Sequence, residues 1–476
     1  MRRPESPSPP RPADLIDRST DVRFPAGVIE GFYGRPWSQE ERLQLFDWMA
    51  AWGLNTYFYA PKDDLHHRAL WRAPYPPEEE AQLRALIGAC RERGIDFVYG
   101  IGPGLDIDYG SGAELQRLQA RLEQLMRAGC EHFALLFDDI PASPSGAGIA
   151  RFGSLAAAQS HVANALCRWL RQQRPQARFL FCPTPYCGRM AAAQLGGAGY
   201  LETIGGALDD RIDIFWTGPD IISRDIPVAH VRDVRAVLRR KPVIWDNLQA
   251  NDYDGNRFFC GPCSGRPPEL LREINGLLSN PNVEFPLNYV PLRTLSWFVN
   301  GDPRDPRAAY LAAMAEWRAS FATVHGDADL EDVILFGDCF YLPHEEGAEA
   351  EALVRSAARL VREGGSPEAA RVFRRRAARL RAFCAGLSDL RDRPLFHALN
   401  RPAWALREEI DLLGRVEGGP ERITSDFHLP GTYRGGIVAR LQALLVPQPD
   451  GTFLPADADP LTPAVHGVTG STPRHD

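Results

Sequence analysis

The sequence predicts an α/β chain in which a (β/α)8 barrel is followed by an α-helical bundle domain. Two observations carry this. From Val22 to about Asn300, eight short apolar or aromatic runs alternate with longer stretches of helical spacing. Such alternation demands parallel strands, and eight units over this length match a closed barrel. Beyond Asn300 the composition shifts to Ala, Arg, Leu and Glu at helical spacing, broken at Gly364-Gly365-Ser366-Pro367 and Gly418-Gly419-Pro420.

The predicted strands are Gly27–Gly31, Asn55–Ala60, Asp96–Ile101, His132–Phe137, Arg178–Cys182, Ile212–Trp216, Pro242–Trp245 and Val283–Tyr289. Helical patterns lie between them, as in Gln39–Trp52, Glu78–Arg93 and Glu114–Ala128. In the second domain they cover 306–325, 347–363, 367–387 and about 395–413. The domain boundaries follow: a disordered, Pro-rich leader over 1–20, the barrel over 21–305, the helical domain over 306–446 and a loosely ordered tail over 447–476.

Composition excludes several function classes. The net charge of -7 argues against a general nucleic-acid binder. No apolar run approaches the roughly 18 residues of a membrane span. Arg2 and Arg3 are followed by Pro, Ser and Glu where a signal peptide needs an apolar core, so a cytoplasmic location is expected. The nine cysteines suit free thiols better than a disulfide framework. Cys260-Gly261-Pro262-Cys263 has redox-dithiol spacing but sits in a barrel loop, so redox or zinc chemistry is not expected of it. No histidine pattern accompanies Cys182 and Cys187, and His66-His67 reads as a solvated loop, so no metal is expected. No phosphate-binding loop stands out, so no cofactor is expected.

The predicted strands end alike, in polar and aromatic side chains. Strand two runs into Pro61-Lys62-Asp63-Asp64, strand four into Asp138-Asp139, and strand five leads to Thr184, Pro185 and Tyr186. Strand six gives Trp216-Thr217, strand seven Trp245-Asp246-Asn247, and strand eight holds Asn288-Tyr289. Barrel enzymes keep their sites at that end. In His132–Pro141 a buried strand runs straight into two carboxylates. Close carboxylates repel, which raises the pKa of one while the other stays ionised, giving one proton donor and one anion. Glycosidic cleavage needs such a pair. Taken alone, Asp-Asp fits a helix N-cap or a surface turn equally well. Adjacent acids suit a substrate whose own 2-acetamido oxygen is the nucleophile, with one Asp steadying the acetamido group and the other moving the proton.

Several segments together resemble glycoside hydrolase family 84, the β-N-acetylglucosaminidases, and within it the branch acting on O-GlcNAc of proteins. They are Ala26–Trp37, Tyr57–Asp64, Phe133–Ile140, Cys182–Gly188, Trp216–Pro219, Trp245–Asp254 and Leu287–Val290. Cys339–Gly347 and Thr432–Leu445 resemble the helical stalk of the animal members. The resemblance implies a retaining, substrate-assisted β-N-acetylglucosaminidase that passes through an oxazoline, and a homodimer through the stalk. It implies that Asp138 polarises the acetamido group and that Asp139 is general acid, then base. Tyr186 would support the acetamido nucleophile, and Trp245 would wall the N-acetyl methyl. Gly27, Lys62, Asn247, Asp252 and Asn288 would hold sugar hydroxyls. Alternatives are the same chemistry on GlcNAc-terminated glycans or glycosaminoglycan fragments, or a sugar-binding protein without activity.

Overall fold

The computed structural model describes residues 23–141, 147–416 and 435–456. The predicted leader, tail residues 457–476 and the Thr432–Arg434 part of the stalk-like segment lie outside these. Eight parallel strands form a closed barrel in sequence order. They are β1 (Ala26–Glu30), β2 (Thr56–Tyr59), β3 (Asp96–Ile101), β4 (His132–Leu136), β5 (Phe179–Cys182), β6 (Ile212–Trp216), β7 (Val243–Asp246) and β8 (Gly276–Ser279). Closure comes from β1 against β8, with Ala26 opposite Leu277 and Val28 opposite Ser279.

Local sequence explains the helices between the strands. Ser38 and Glu41 make a reciprocal capping box at the start of Gln39–Trp52, and Gly53, at φ 75°, ends it. Ser111 caps Gly112–Ala128 and Ser154 caps Leu155–Gln173. Alternate strand residues then divide between two apolar layers. Tyr57, Tyr59, Phe133 and Leu135 join the layer beneath the helices, whereas Phe58, Ala134, Leu136, Leu180 and Leu278 fill the barrel interior.

The eighth strand corrects the sequence reading. It is Gly276–Ser279; the predicted run Val283–Tyr289 instead forms a 3-10 turn (Phe285–Asn288) leading into the helix Tyr289–Val299. Pro286 explains this, because proline has no N–H to give to a strand ladder and suits the first turn of a helix. The true strand has only two apolar residues, Leu277 and Leu278, between Gly276 and Ser279, which hid it.

The chain divides into two compact units, Met1–Tyr253 with Pro262–Tyr310, and Asp254–Gly261 with Leu311–Asp476. The second unit is helical, built from Leu330–Asp338, Ala348–Arg362, Pro367–Gly386, Arg393–Leu413 and Gly436–Gln442. Leu353, Phe373, Leu380, Leu406 and Ile410 are in its buried core. The first predicted helix of this region ends at Trp317, and Leu330–Asp338 was not foreseen. Leu445–Pro447 pairs with Phe453–Pro455 as a hairpin, so the start of the segment expected to be loose is paired.

Candidate active site

The C-terminal ends of the strands surround a cavity of about 330 Å3. Gly31, Lys62, Asp138, Cys182, Phe215, Trp245 and Asn280 line it from the ends of seven strands, and Tyr33, Asp139, Tyr186, Asn247 and Asp252 from the loops that follow.

Strand parity and one strained residue place the acid pair. Ala134 and Leu136 face the barrel interior, so Asp138 continues on that face. Asp139 should then point to the other face. It has φ 48°, in the left-handed region that few non-glycine residues adopt. That twist turns its carboxylate to the cavity wall as well. Two consecutive carboxylates thus share one cavity without sharing one environment.

Asp138 is buried, and its Oδ2 accepts from the Lys62 ammonium. Burial alone would raise its carboxyl. The Lys62 cation, with Arg68 and His67 beyond it, outweighs burial and holds it below the usual carboxylate range. Lys62 also lies 5.7 Å over the Trp245 ring. His67 is fully buried, not solvated as its loop position suggested. Burial and the Lys62 charge push its imidazole down to about 4, so it is neutral at pH 7. Its Nδ1 donates to the Gly100 carbonyl at 2.9 Å.

Asp139 is exposed at the cavity wall. The Tyr186 hydroxyl donates to its Oδ1 at 2.8 Å and the Tyr33 hydroxyl to its Oδ2 at 3.0 Å. Burial and then the Asp139 charge push both phenols up, so both stay protonated donors. Arg68 donates to the Tyr33 oxygen at 2.6 Å and to the Asp139 main-chain carbonyl.

The loops beneath are held by the buried carboxylate of Glu30 and the half-buried one of Asp64. Glu30 takes a two-pronged bond from Arg42 at 2.8 and 2.6 Å and one from the Trp37 N–H at 3.0 Å, fixing the first loop. Asp64 accepts from the hydroxyls of Tyr59 and Tyr75, each at 2.7 Å, and from the His66 N–H at 2.9 Å. That fixes the loop carrying Lys62. On the far wall, Asp252 Oδ2 accepts the Tyr33 N–H at 3.0 Å, and burial raises its carboxyl. Asn280 donates to Asn247 Oδ1 at 2.9 Å, while Asn247 donates to the Ile221 carbonyl at 2.9 Å. The buried Asn280 Oδ1 has no hydrogen-bond partner among the described residues, leaving it open to a donor in the cavity.

Seven of the nine residues expected from the sequence meet here: Asp138, Asp139, Lys62, Tyr186, Trp245, Asn247 and Asp252. Gly27 and Asn288 do not line the cavity. Gly27 lies inside β1, where an added Cβ would come within 1.9 Å of the Thr56 carbonyl oxygen, so its requirement is close strand packing. Asn288 is fully buried and bonds Asn282 through both ends of its amide, at 2.9 Å to the Asn282 N–H and 2.9 Å to its carbonyl. Gly31 and Asn280 line the cavity instead. At Gly31 an added Cβ would meet Trp245 Cζ2 at 2.5 Å, so glycine is needed beside that indole. Asn280 directly follows β8, as Asn247 follows β7, and was lost with the misplaced strand. Tyr33 and Arg68 were also missed.

All nine cysteines are free thiols, including Cys260 and Cys263. Among the described residues, no group of three or more His, Cys, Asp and Glu is arranged to hold a metal. No described helix is long and apolar enough to cross a membrane.

Residues 26–338 match the family model described as beta-N-acetylglucosaminidase. The chain belongs to the β-N-acetylglucosaminidase family of glycoside hydrolases. Among other family proteins, it is 46% identical over 287 residues to Protein O-GlcNAcase of Rattus norvegicus and equally to that of Mus musculus. The matched stretch is 60% of this chain but 31% of either relative, so the chain spans about a third of their length. A solved structure of a mutant O-GlcNAc hydrolase from Thermobaculum terrenum superposes with a TM-score of 0.73 at 27% identity, covering 82% of each chain.

The buried pair in this family member yields a first prediction. Lys62→Met leaves Asp138 buried without its cation, and a loss of about 3–5 kcal/mol is expected from a broken buried pair. Because the Asp138 carboxyl is depressed in the folded state, its stabilisation is present above the ordinary carboxylate range and is lost as pH falls through the depressed value. In the variant that contribution disappears, and the acid limb of kcat/KM moves to higher pH. Denaturant melts against pH and a pH–rate profile check both; an acid limb that does not move would rule out Lys62 as the group that keeps Asp138 ionised.

Proposed function

We propose that this chain is a retaining β-N-acetylglucosaminidase that uses substrate-assisted catalysis and removes O-GlcNAc from Ser or Thr of proteins. The observation that carries the reading is the inequality of the acid pair: one carboxylate is buried and paired with Lys62, and its neighbour is exposed between two phenols. A retaining enzyme with a protein nucleophile needs two carboxylates about 5 Å apart across the sugar. Consecutive acids with different environments suit a nucleophile supplied by the substrate.

In this reading Asp138, held as an anion, accepts the acetamido N–H and raises the electron density on the acetamido oxygen. That oxygen attacks the anomeric carbon as the C–O bond to the leaving group breaks, forming an oxazoline. Asp139 delivers a proton to the leaving oxygen, then takes one from the water that opens the ring. Tyr186 and Tyr33 stay protonated and steady Asp139 while its charge changes. Lys62, Trp245, Asn247, Asn280 and Asp252 form the remaining walls. At about 330 Å3 the cavity is near the small end of ligand pockets (roughly 300–1,000 Å3), which suits a single terminal sugar.

A thiazoline mimic of the oxazoline is expected to inhibit competitively, measured by inhibition constants on an aryl N-acetylglucosaminide. Labelling of a carboxylate by a fluorosugar trap, with no thiazoline inhibition, would transfer the nucleophile to a protein residue such as Asp252. The names of the relatives support the protein substrate; turnover of an O-GlcNAc peptide beside chitobiose and a hyaluronan fragment tests it, and preference for either glycan would overturn it. A cytoplasmic location, and a homodimer through the helical unit, belong to the same proposal. Light scattering on a sizing column is expected to give twice the chain mass, and a monomer would remove the dimer.

A further inference from the structure

The loop after β7 is divided between the two compact units. Asn247, Ala250, Asp252 and Tyr253 line the cavity. From the next residue, Asp254–Gly261 belongs to the helical unit. There Phe258 is buried and stacks on Phe340 with ring centroids 4.4 Å apart. Cys260 N–H donates to the Phe340 carbonyl at 2.9 Å, and Gly261 N–H to the Tyr341 carbonyl at 2.6 Å. Gly261 must be glycine, since a Cβ would stand 2.3 Å from the Tyr341 oxygen. Arg257 donates to the Pro343 carbonyl at 2.9 Å. So the distal half of the loop is gripped by main-chain bonds and a ring stack.

The proximal half carries two roles. Asn251 anchors it, donating to Glu284 at 2.9 Å and accepting the Val283 N–H at 2.8 Å. Beyond that anchor, the Asp252 carboxylate holds the Tyr33 N–H, and the Tyr33 hydroxyl holds Asp139. Asp252 therefore lies between an anchor on one side and the gripped segment, two residues away by covalent bonds, on the other.

We infer that Phe258, with the helical unit that grips it, is a positioning residue for catalysis: it sets Asp252 through the β7 loop, and through Asp252 and Tyr33 the proton donor Asp139. The coupling runs along the chain itself. It rests on the proposed hydrolase reading, and the test separates the two.

Two glycines inserted after Gly255 would loosen the link while leaving the grip intact. Gly255 is exposed, a Cβ there would meet nothing within 4 Å, and the insertion gives up only the local turn in which Asp254 accepts the Asn256 N–H at 3.2 Å and the Arg257 N–H at 3.0 Å. The control is the same insertion after Gly364, an exposed turn between two helices with equally open surroundings. Phe258→Ala loosens the grip itself, and Phe258→Tyr is expected to restore it. Each full-length protein is assayed on an activated aryl N-acetylglucosaminide and on an alkyl one, with a thermal melt alongside. The insertion after Gly255 is expected to raise KM about tenfold on both substrates and to lower kcat several-fold more on the alkyl substrate. Its melting temperature should match that of the control. If its KM and its aryl-to-alkyl kcat ratio equal those of the control, the inference is wrong, whatever Phe258→Ala does. If the unaltered protein turns over neither substrate, the hydrolase reading has failed instead.

Discussion

Asp138→Ala is expected to cut kcat by about 10³-fold on activated and unactivated N-acetylglucosaminides alike. The magnitude is that of losing a preorganised electrostatic contact to charge that develops at the transition state. The equality across leaving groups is the sharper claim. In the proposed mechanism Asp138 acts on the attacking acetamido group, and attack is needed whatever departs. The variant also strands the Lys62 ammonium in a buried place, so some loss of stability accompanies the loss of rate. Asp138→Asn separates the two: it keeps a hydrogen-bonding shape beside Lys62 but removes the anion, and kcat should still fall by more than 100-fold. Steady-state rates across aryl leaving groups of graded acidity decide it. A loss that grows as the leaving group worsens would make Asp138 the proton donor and invert the assignment.

Asp139→Ala should behave the other way. Its loss should reach about 10³–10⁴-fold on alkyl or peptide glycosides, within the range for removing a general acid. On aryl glycosides that leave without a proton the loss should be less than 100-fold. The basic limb of the pH–rate profile should vanish on those aryl substrates, because no proton is then delivered. Tyr186→Phe and Tyr33→Phe should reproduce a fraction of this effect, since each hydroxyl holds one Asp139 oxygen. If Asp139→Ala slows all leaving groups equally, Asp139 is not the proton shuttle.

Much of this site could be read in the sequence because barrel enzymes place chemistry at strand ends. Once His132–Phe137 was a strand, Asp138 had to emerge at the mouth. Tyr186, Trp245 and Asn247 follow by the same logic from β5 and β7, whose apolar runs are unambiguous, whereas Asp252 is implied only by the family resemblance. Asn288 and Gly27 lie away from the cavity for separate physical reasons. Asn288 belongs to an apolar run containing Pro286 whose pattern predicts the eighth strand. The real strand, Gly276–Ser279, offers only Leu277 and Leu278 as an apolar run and is bounded by asparagines, too little for the pattern to reveal. Gly27 rests on the resemblance alone, and the sequence gives no means to distinguish a glycine needed for strand packing from one needed beside an indole.

The roles of Tyr33, Arg68 and His67 were hidden for another reason. Each depends on contacts across long sequence separations: Tyr33 reaches Asp139 across 106 residues and Arg68 reaches the same main chain across 71. His66-His67 looks like a polar loop in one dimension, yet one ring is buried against β3 and the other is not. The second unit was foreseen as helical from composition alone. The capture of Asp254–Gly261 by that unit could not be foreseen, because nothing local to those eight residues marks them as belonging elsewhere.

The left-handed backbone at Asp139 has a cost beyond geometry. An L-residue other than glycine gives up about 1 kcal/mol to sit there. A glycine at 139 would relieve that strain and, in the proposed mechanism, remove the proton shuttle in the same step. On that reading, selection for heat resistance alone would favour the glycine and an inert barrel, and only selection for turnover would keep the aspartate.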